Sequence, residues 1–323
     1  MSGLLGCGKV FLNKVSNIIP NIPENATWKF KAKTVAGGDR RGATLERLHC
    51  PRGLFVDKNQ NVFVADSLNN RIMKFIRSTT IARTIAGKNI SKYGSDFLCK
   101  PSNVIYDYKS KSFIISDYYN RRVLRWFPKR GACPETIIRG SEYYGLAMDD
   151  EGFLYVSDPE RHEVRRYRSD GRRGKVVAGG NGQGSHHNQL SHPTYIFVGP
   201  DGAVYVSDTW NDRVVKWDKN ATSGIVVAGG HGKGKDRTQL HYPTGLVVDQ
   251  LGTVYVADYW NHRVMQWCKG ASHGKMIAGS RFLAGNKANQ LNGPEGLAFD
   301  RSGNLYVVDS NNHRIQRFLI QTV

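Results

Sequence analysis

The sequence predicts an all-β fold, a six-bladed β-propeller of four-stranded antiparallel blades in which an N-terminal strand completes the last blade. Three observations predict it. An acidic residue closes a Tyr-Val-type strand at Asp66, Asp117, Asp158, Asp208, Asp258 and Asp309, in steps of 51, 41, 50, 50 and 51 residues. Each Asp is followed three residues later by Asn69, Asn120, Arg161, Asn211, Asn261 or Asn312, and five later by Arg71, Arg122, Glu163, Arg213, Arg263 or Arg314. Short strands end in Ala-Gly at Gly37, Gly87, Gly179, Gly229 and Gly279, with a degenerate copy ending at Gly140.

The clearest unit is 243–267, PTGLVVDQLGTVYVADYWNHRVMQW. An apolar run, a turn, an alternating run, an acidic-polar turn and a run closed by Trp267 read as a small antiparallel meander. With its Ala-Gly strand each unit has four strands, and a period near 40–50 residues with four strands is that of a propeller blade.

Taken in order, residues 1–28 carry no repeat signal and form an N-terminal extension, expected to be a loosely ordered tail. Their apolar residues are broken by Lys9, Asn13 and Lys14, and no signal-peptide pattern is convincing. Sequons at Asn25, Asn89 and Asn220 matter only if the chain is secreted, and the compartment stays open. The propeller spans 29–323. Its blades are 51–87, 101–140, 143–180, 193–230, 243–279, and 294–323 completed by 29–38. The last unit lacks an Ala-Gly strand, whereas one stands alone before blade one. Pairing these two removes two exposed sheet edges.

The turns between second and third strands and the links between blades should emerge on one face, where loops on a rigid scaffold carry function. From the Ala-Gly glycine to the residue after Pro-x, the links measure 16, 16, 5, 16, 16 and 17 residues. The link into blade three is thus short by 11, and that blade also replaces the turn Asn and Arg by Arg161 and Glu163. This predicts a notch lined by Tyr143, Tyr144, Arg161 and His162, with Tyr118, Tyr119 and Arg121 nearby.

The turn pairs Asp66–Arg71, Asp117–Arg122, Asp208–Arg213, Asp258–Arg263 and Asp309–Arg314 read as structural clips, because they recur regardless of site. The aromatics at Phe75, Trp126, Tyr167, Trp217, Trp267 and Phe318 read as packing between blades. The runs GGNGQG and GGHGKG lack the order of a phosphate loop and open no helix. His49, His192 and His241 precede first strands, but no HxH or HExxH spacing marks a metal site, and no cofactor or catalytic residue is expected.

Lys and Arg number 46 against 27 Asp and Glu, a net charge of +19, which favours anionic partners. The positives are scattered along all blades. The five cysteines, Cys7, Cys50, Cys99, Cys133 and Cys268, are odd in number and show no CxxC spacing. No apolar run approaches a membrane span, so a soluble monomer is expected.

The P-x-G-L-x-x-D opening, clearest at 51–57, 243–249 and 294–300, and the D-x-x-N-x-R turn resemble the NHL repeat family over nearly all of 29–323. The resemblance implies a six-bladed propeller used as a non-enzymatic scaffold that binds a protein through its loop face. It also implies two alternatives, single-stranded RNA binding on a basic face and partner selection in a ubiquitin-ligase-type assembly. This chain has no RING-type array, so the latter role would need another subunit. A metal-dependent lyase of the peptidyl-hydroxyglycine type ranks last. That activity needs channel histidines, and the positions after the opening proline hold Arg52, Ser102, Thr194, Thr244 and Glu295.

Overall fold

The computed structural model describes residues 19–321 apart from 24, 39, 80, 88–96, 130–132 and 281–282. Cys7 and the sequon at Asn89 lie outside the described residues. Six four-stranded antiparallel sheets form the ring. From the innermost strand outward, blade one is Leu54–Val56, Val62–Asp66, Arg71–Phe75 and Ala82–Ala86. Blade two is Asn103–Asp107, Ser112–Asp117, Arg122–Trp126 and Glu135–Arg139. Blade three is Leu146–Met148, Leu154–Asp158, Glu163–Tyr167 and Lys175–Gly179. Blade four is Pro193–Val198, Val204–Asp208, Arg213–Trp217 and Ile225–Gly229. Blade five is Pro243–Val248, Val254–Asp258, Arg263–Trp267 and Lys275–Gly279. Blade six is Pro294–Phe299, Leu305–Asp309 and Arg314–Phe318, with Lys33–Gly37 as its outer strand.

That last pairing closes the ring. Lys33 opposes Arg317, Thr34 opposes Gln316 and Gly37 opposes Arg314. A second latch follows, in which Thr27–Trp28 pairs with Ile320–Gln321. The terminal glycines of the outer strands need their residue type twice over. Gly37 and Gly229 have φ near +70°, and a Cβ at either would overlap the carbonyl oxygen of His313 or Asp212.

Alternating strands have two apolar faces, and each blade buries both against its neighbours. The result is one buried cluster at every blade interface. Ile114, Val123, Leu146 and Val156 fill the junction of blades two and three, and Trp217 with Val164 and Ile196 that of three and four. Trp267 and Phe318 lie in the clusters between blades four and five and between five and six, both nearly inaccessible. No cluster closes within one blade, so a single blade has no core of its own.

The loose-tail reading of 1–28 is corrected for the part described. Ile22 and Trp28 are buried in the cluster of blades five and six, with Trp28 against Tyr255 at 5.6 Å and Phe299 at 6.3 Å. The Trp28 indole N–H donates to the Gly303 carbonyl at 3.1 Å. This segment is aperiodic because it serves one site, the seam of the ring, and so leaves no repeat to read. No helix among the described residues is long and apolar enough to cross a membrane.

Candidate functional site

The Asp-x-x-Asn-x-Arg turns and the inter-blade links share one face, and the hydrogen bonds show what holds them together. In blades one, two, four, five and six the Arg Nε donates to the Asp Oδ2 at 2.7 Å. The rest of the guanidinium serves the link. Arg71 donates to the carbonyls of Ala43, Thr44 and Arg47, and Arg263 to those of Lys235, Asp236 and Gln239. Arg213 and Arg314 repeat this on their own links. The other carboxylate oxygen accepts a backbone N–H where the link turns into the next strand, as from His49 to Asp66 at 2.7 Å. Each clip therefore fastens a long link onto its turn.

Blade three follows from the same chemistry. Its link is too short to present those carbonyls, so an arginine there would keep unmet donors. Glu163 stands in its place and pairs with Arg165 at 2.6 Å. Asp158 keeps one oxygen without a hydrogen bond, with Arg161 Nε 3.8 Å away.

In blades one, two, four, five and six the turn is a short 3₁₀ segment, and in all six blades it ends in a left-handed residue that reaches the next blade. Asn70 Oδ1 accepts from Lys100 N, His162 Nδ1 from His192 N and Asp212 Oδ1 from Tyr242 N. His262 Nδ1 accepts from Gly293 N, and His313 Nδ1 from Cys50 N across the seam. Blade two has Arg121 here, which accepts nothing. It forms a two-point ion pair with Glu160 of blade three instead, at 2.6 and 2.7 Å.

This ion pair bears on the expected notch. Arg121 and Glu160 span the gap, and the one Ser141 hydroxyl proton lies within reach of both Asp158 and Glu160, at 2.6 and 2.9 Å. Tyr143 and Tyr144 are buried and do not line an open gap. Tyr143 donates to the Arg139 carbonyl at 2.9 Å, and Tyr144 enters the central channel. Tyr119 and the Arg161 side chain are exposed, Tyr118 and His162 half-buried.

The second residue of each turn stands out on this face. In four blades it is large and apolar or aromatic: Leu68, Tyr119, Trp210 and Trp260, exposed by 40, 51, 54 and 51%. Three of these carry partners from the links. His192 stacks on Trp210 at 4.5 Å and 12°, His241 lies 6.2 Å from Trp260, and Lys100 Nζ sits 3.9 Å over Tyr119. Burial lowers the His192 ring to about 4, with His162 adding, so the ring stacked on Trp210 is neutral at physiological pH.

Inside this circle, side chains of five blades meet across the channel. Tyr144 and Tyr195 both donate to Glu295 Oε2, at 2.9 and 3.0 Å. The Arg52 guanidinium lies 5.5 Å from the ring centres of both Tyr118 and Tyr144. Arg52 and Glu295 occupy the same position in adjacent blades, which approach closely because a Cβ on Gly296 would strike the Arg52 carbonyl. Burial raises Glu295, opposed by Arg52 and the tyrosine hydroxyls. Burial works against the charge on Arg52, yet Tyr144 and Glu295 hold its pKa above the usual value. Arg52 Nη1 is buried and has no hydrogen-bond partner among the described residues.

Towards the opposite face the inner strands enclose a cavity of about 840 Å³, with walls that include Leu54, Ile105, Met148, Ile196 and Phe299. Its rim carries Asp57, Asp150, Glu151 and Asp201 beside Lys58 and Arg301. Among the described residues no three His, Cys, Asp or Glu side chains converge as a metal would need. Cys50, Cys99, Cys133 and Cys268 are free thiols.

Sequence reasoning passed over the roles of Arg52, Glu295, Tyr195, Trp210 and Trp260. One signal was available: of the six residues that follow the opening proline or its equivalent, only Arg52 and Glu295 are charged, with opposite signs in blades that ring closure makes neighbours.

Residues 240–267 and 291–318 match the NHL repeat. The resemblance is met in sequence at these two places, and the six-bladed ring is the architecture it implied. No curated protein matches the chain in sequence. In structure the chain is similar to an auxiliary nutrient binding protein from Bacteroides thetaiotaomicron, at 17% identity and TM-score 0.70 over 92% of this chain and 78% of that one. It is also similar to a gluconolactonase from Xanthomonas campestris, at 13% identity and TM-score 0.63 over 94% and 99%. Virginiamycin B lyase from Staphylococcus aureus aligns at 10% identity and TM-score 0.54 over 92% and 100%. These likenesses speak to the fold.

Proposed function

We propose that the protein is a non-enzymatic binding module that holds a protein partner on its loop face. The observation that carries this reading is the circle of Leu68, Tyr119, Trp210 and Trp260, exposed at one turn position in four blades. Large aromatics left in water forgo the burial that would stabilise a monomer, and rigidly held ones are what anchor interfaces. The clips fasten these turns to the ring, so little side-chain or loop entropy is lost on docking. Arg161, exposed on the turn of blade three, adds a cation on the side of the shortened link.

The test is cross-linking of the full chain to its partners, with the products identified by mass spectrometry. A partner held by the wild-type chain and lost by the double variant W210A/W260A supports the reading. Unchanged capture by that variant removes it.

A second reading, single-stranded RNA, draws support from Lys100 over Tyr119 and from the net charge of +19. Stacking of bases on exposed aromatics with nearby cations is the usual chemistry of such sites. RNA affinity that falls steeply with salt would favour it over a protein partner.

A further inference from the structure

We infer that the channel mouth is a carboxylate-binding site in which Arg52 is the receptor. The inference deepens the loop-face reading, because a docked partner would present its carboxylate from that side. Its small-probe test does not need the partner.

The cluster holds an unmet donor. A guanidinium carries five N–H groups in a fixed fork and cannot shed its charge. Arg52 Nη1 is buried with no hydrogen-bond acceptor among the described residues. An unmet charged donor in a buried place is unfavourable, and native proteins seldom keep one without a use. The obvious internal acceptor is already engaged: Glu295 Oε2 takes the hydroxyls of Tyr144 and Tyr195. Arg52 feels the charge of Glu295 but forms no direct ion pair with it among the described residues.

The surroundings restrict what can complete Arg52. Tyr118 and Tyr144 flank the guanidinium, and Tyr242 and Tyr259 lie close enough to feel its charge and that of Glu295. Tyr118, Tyr242 and Tyr259 are half-buried, as is Arg52 as a whole, so the cluster borders solvent. Aromatic walls suit the carbon of a ligand and not a bare ion. The planar fork matches a carboxylate at two points. The neighbouring Glu295 opposes a second negative charge, which disfavours a phosphate dianion. A free small carboxylate and an acidic side chain of a docked partner share this chemistry.

The test is calorimetric titration of the full chain with sodium butyrate, with sodium phosphate at equal ionic strength, and with a blocked peptide carrying one Glu beside its Gln counterpart. Butyrate or the Glu peptide should bind, and the Gln peptide at least about tenfold more weakly, the weight of one charge-assisted contact. Binding of butyrate points to a free carboxylate, and of the Glu peptide alone to a side chain. R52Q should abolish either, with its fold checked by its melting transition. E295Q keeps hydrogen bonds to both tyrosines, removes the competing charge, and should tighten binding. If R52Q does not fold, E295Q decides: unchanged affinity overturns the proposal. So does the absence of heat from both carboxylates, tighter binding of phosphate, or unaltered binding by R52Q. Butyrate heat is read on the full chain with no partner present, and partner capture is read by cross-linking, so failure of the loop-face reading and failure of this site are read separately.

Discussion

The backbone N–H of Cys50 donates to Nδ1 of His313 at 3.2 Å, across the junction where the last blade meets the first. The contact needs a neutral imidazole with its lone pair on Nδ1, because a protonated ring has no acceptor. Burial first, then the charges of His49 and Arg41, lower the His313 pKa below its ordinary 6.5. The unfolded chain therefore binds this proton before the folded one does. The stabilisation is complete above pH 6.5 and is lost as pH falls towards the lowered folded value.

H313N should flatten part of that acid-side decline, since blade one already uses Asn70 for the same contact, to Lys100 N at 2.8 Å. A single neutral hydrogen bond of this kind is worth about 1 kcal/mol, less where solvent reaches it. Urea titrations at several pH values, compared between the two proteins, read the difference. Burial pushes Asp258 up to about 6 against the pull of Arg263, giving a slope of opposite sign, but it is common to both and cancels. Parallel curves for H313N and wild type would show that the seam histidine does not titrate with folding.

Loss of one clip should cost more than loss of one ordinary hydrogen bond. R263M leaves Asp258 buried without its cation and strands three carbonyls of the link at 235–239. Breaking a buried pair by removing one partner costs about 3–5 kcal/mol. Hydrogen exchange should quicken first in that link and then across blade five. The reverse change in blade three, E163R, should stabilise nothing, because the short link offers no carbonyls to receive it.

The exposed aromatics should behave in the opposite way. W260A removes a side chain that stands half in solvent, so the melting transition should move little, within about 0.5 kcal/mol. W210A also loses the stacked His192 and should cost somewhat more. A large loss of stability in W260A would reassign that residue from the binding face to the scaffold.

The repeat period, the six blades and the closing strand were legible because each is written several times along the chain. What resisted reading is what ring closure creates. Tyr144 and Glu295 are 151 residues apart, yet the hydroxyl of one lies 2.9 Å from the carboxylate of the other. No local pattern announces a contact across the axis. The notch was read from a short link and a changed turn, and neither says what moves into the space of a missing loop. Here Tyr143 and Tyr144 turn inward while Arg121 and Glu160 bridge above them. Trp210 and Trp260 were visible, but two equivalent turn positions hold polar residues, Glu160 and Asn311, so no periodicity singled out the site.

Trp28 supplies the last prediction, because it tests whether the segment before the closing strand belongs to the ring's stability. Its ring packs on Tyr255 of blade five and Phe299 of blade six, and its N–H reaches Gly303. W28A removes a buried aromatic from an interface cluster, which costs about 3–5 kcal/mol where the surroundings do not collapse into the space. The pairing of Thr27–Trp28 with Ile320–Gln321 lies beside the outer strand that closes blade six, so the seam should open at lower denaturant. Every blade needs both neighbours to bury its faces, and loosening this interface exposes the flanks of blades five and six together. The loss should therefore appear as one cooperative shift of the whole unfolding curve. A separate early transition confined to residues 19–32, with the main curve unmoved, would show that the ring closes without this segment.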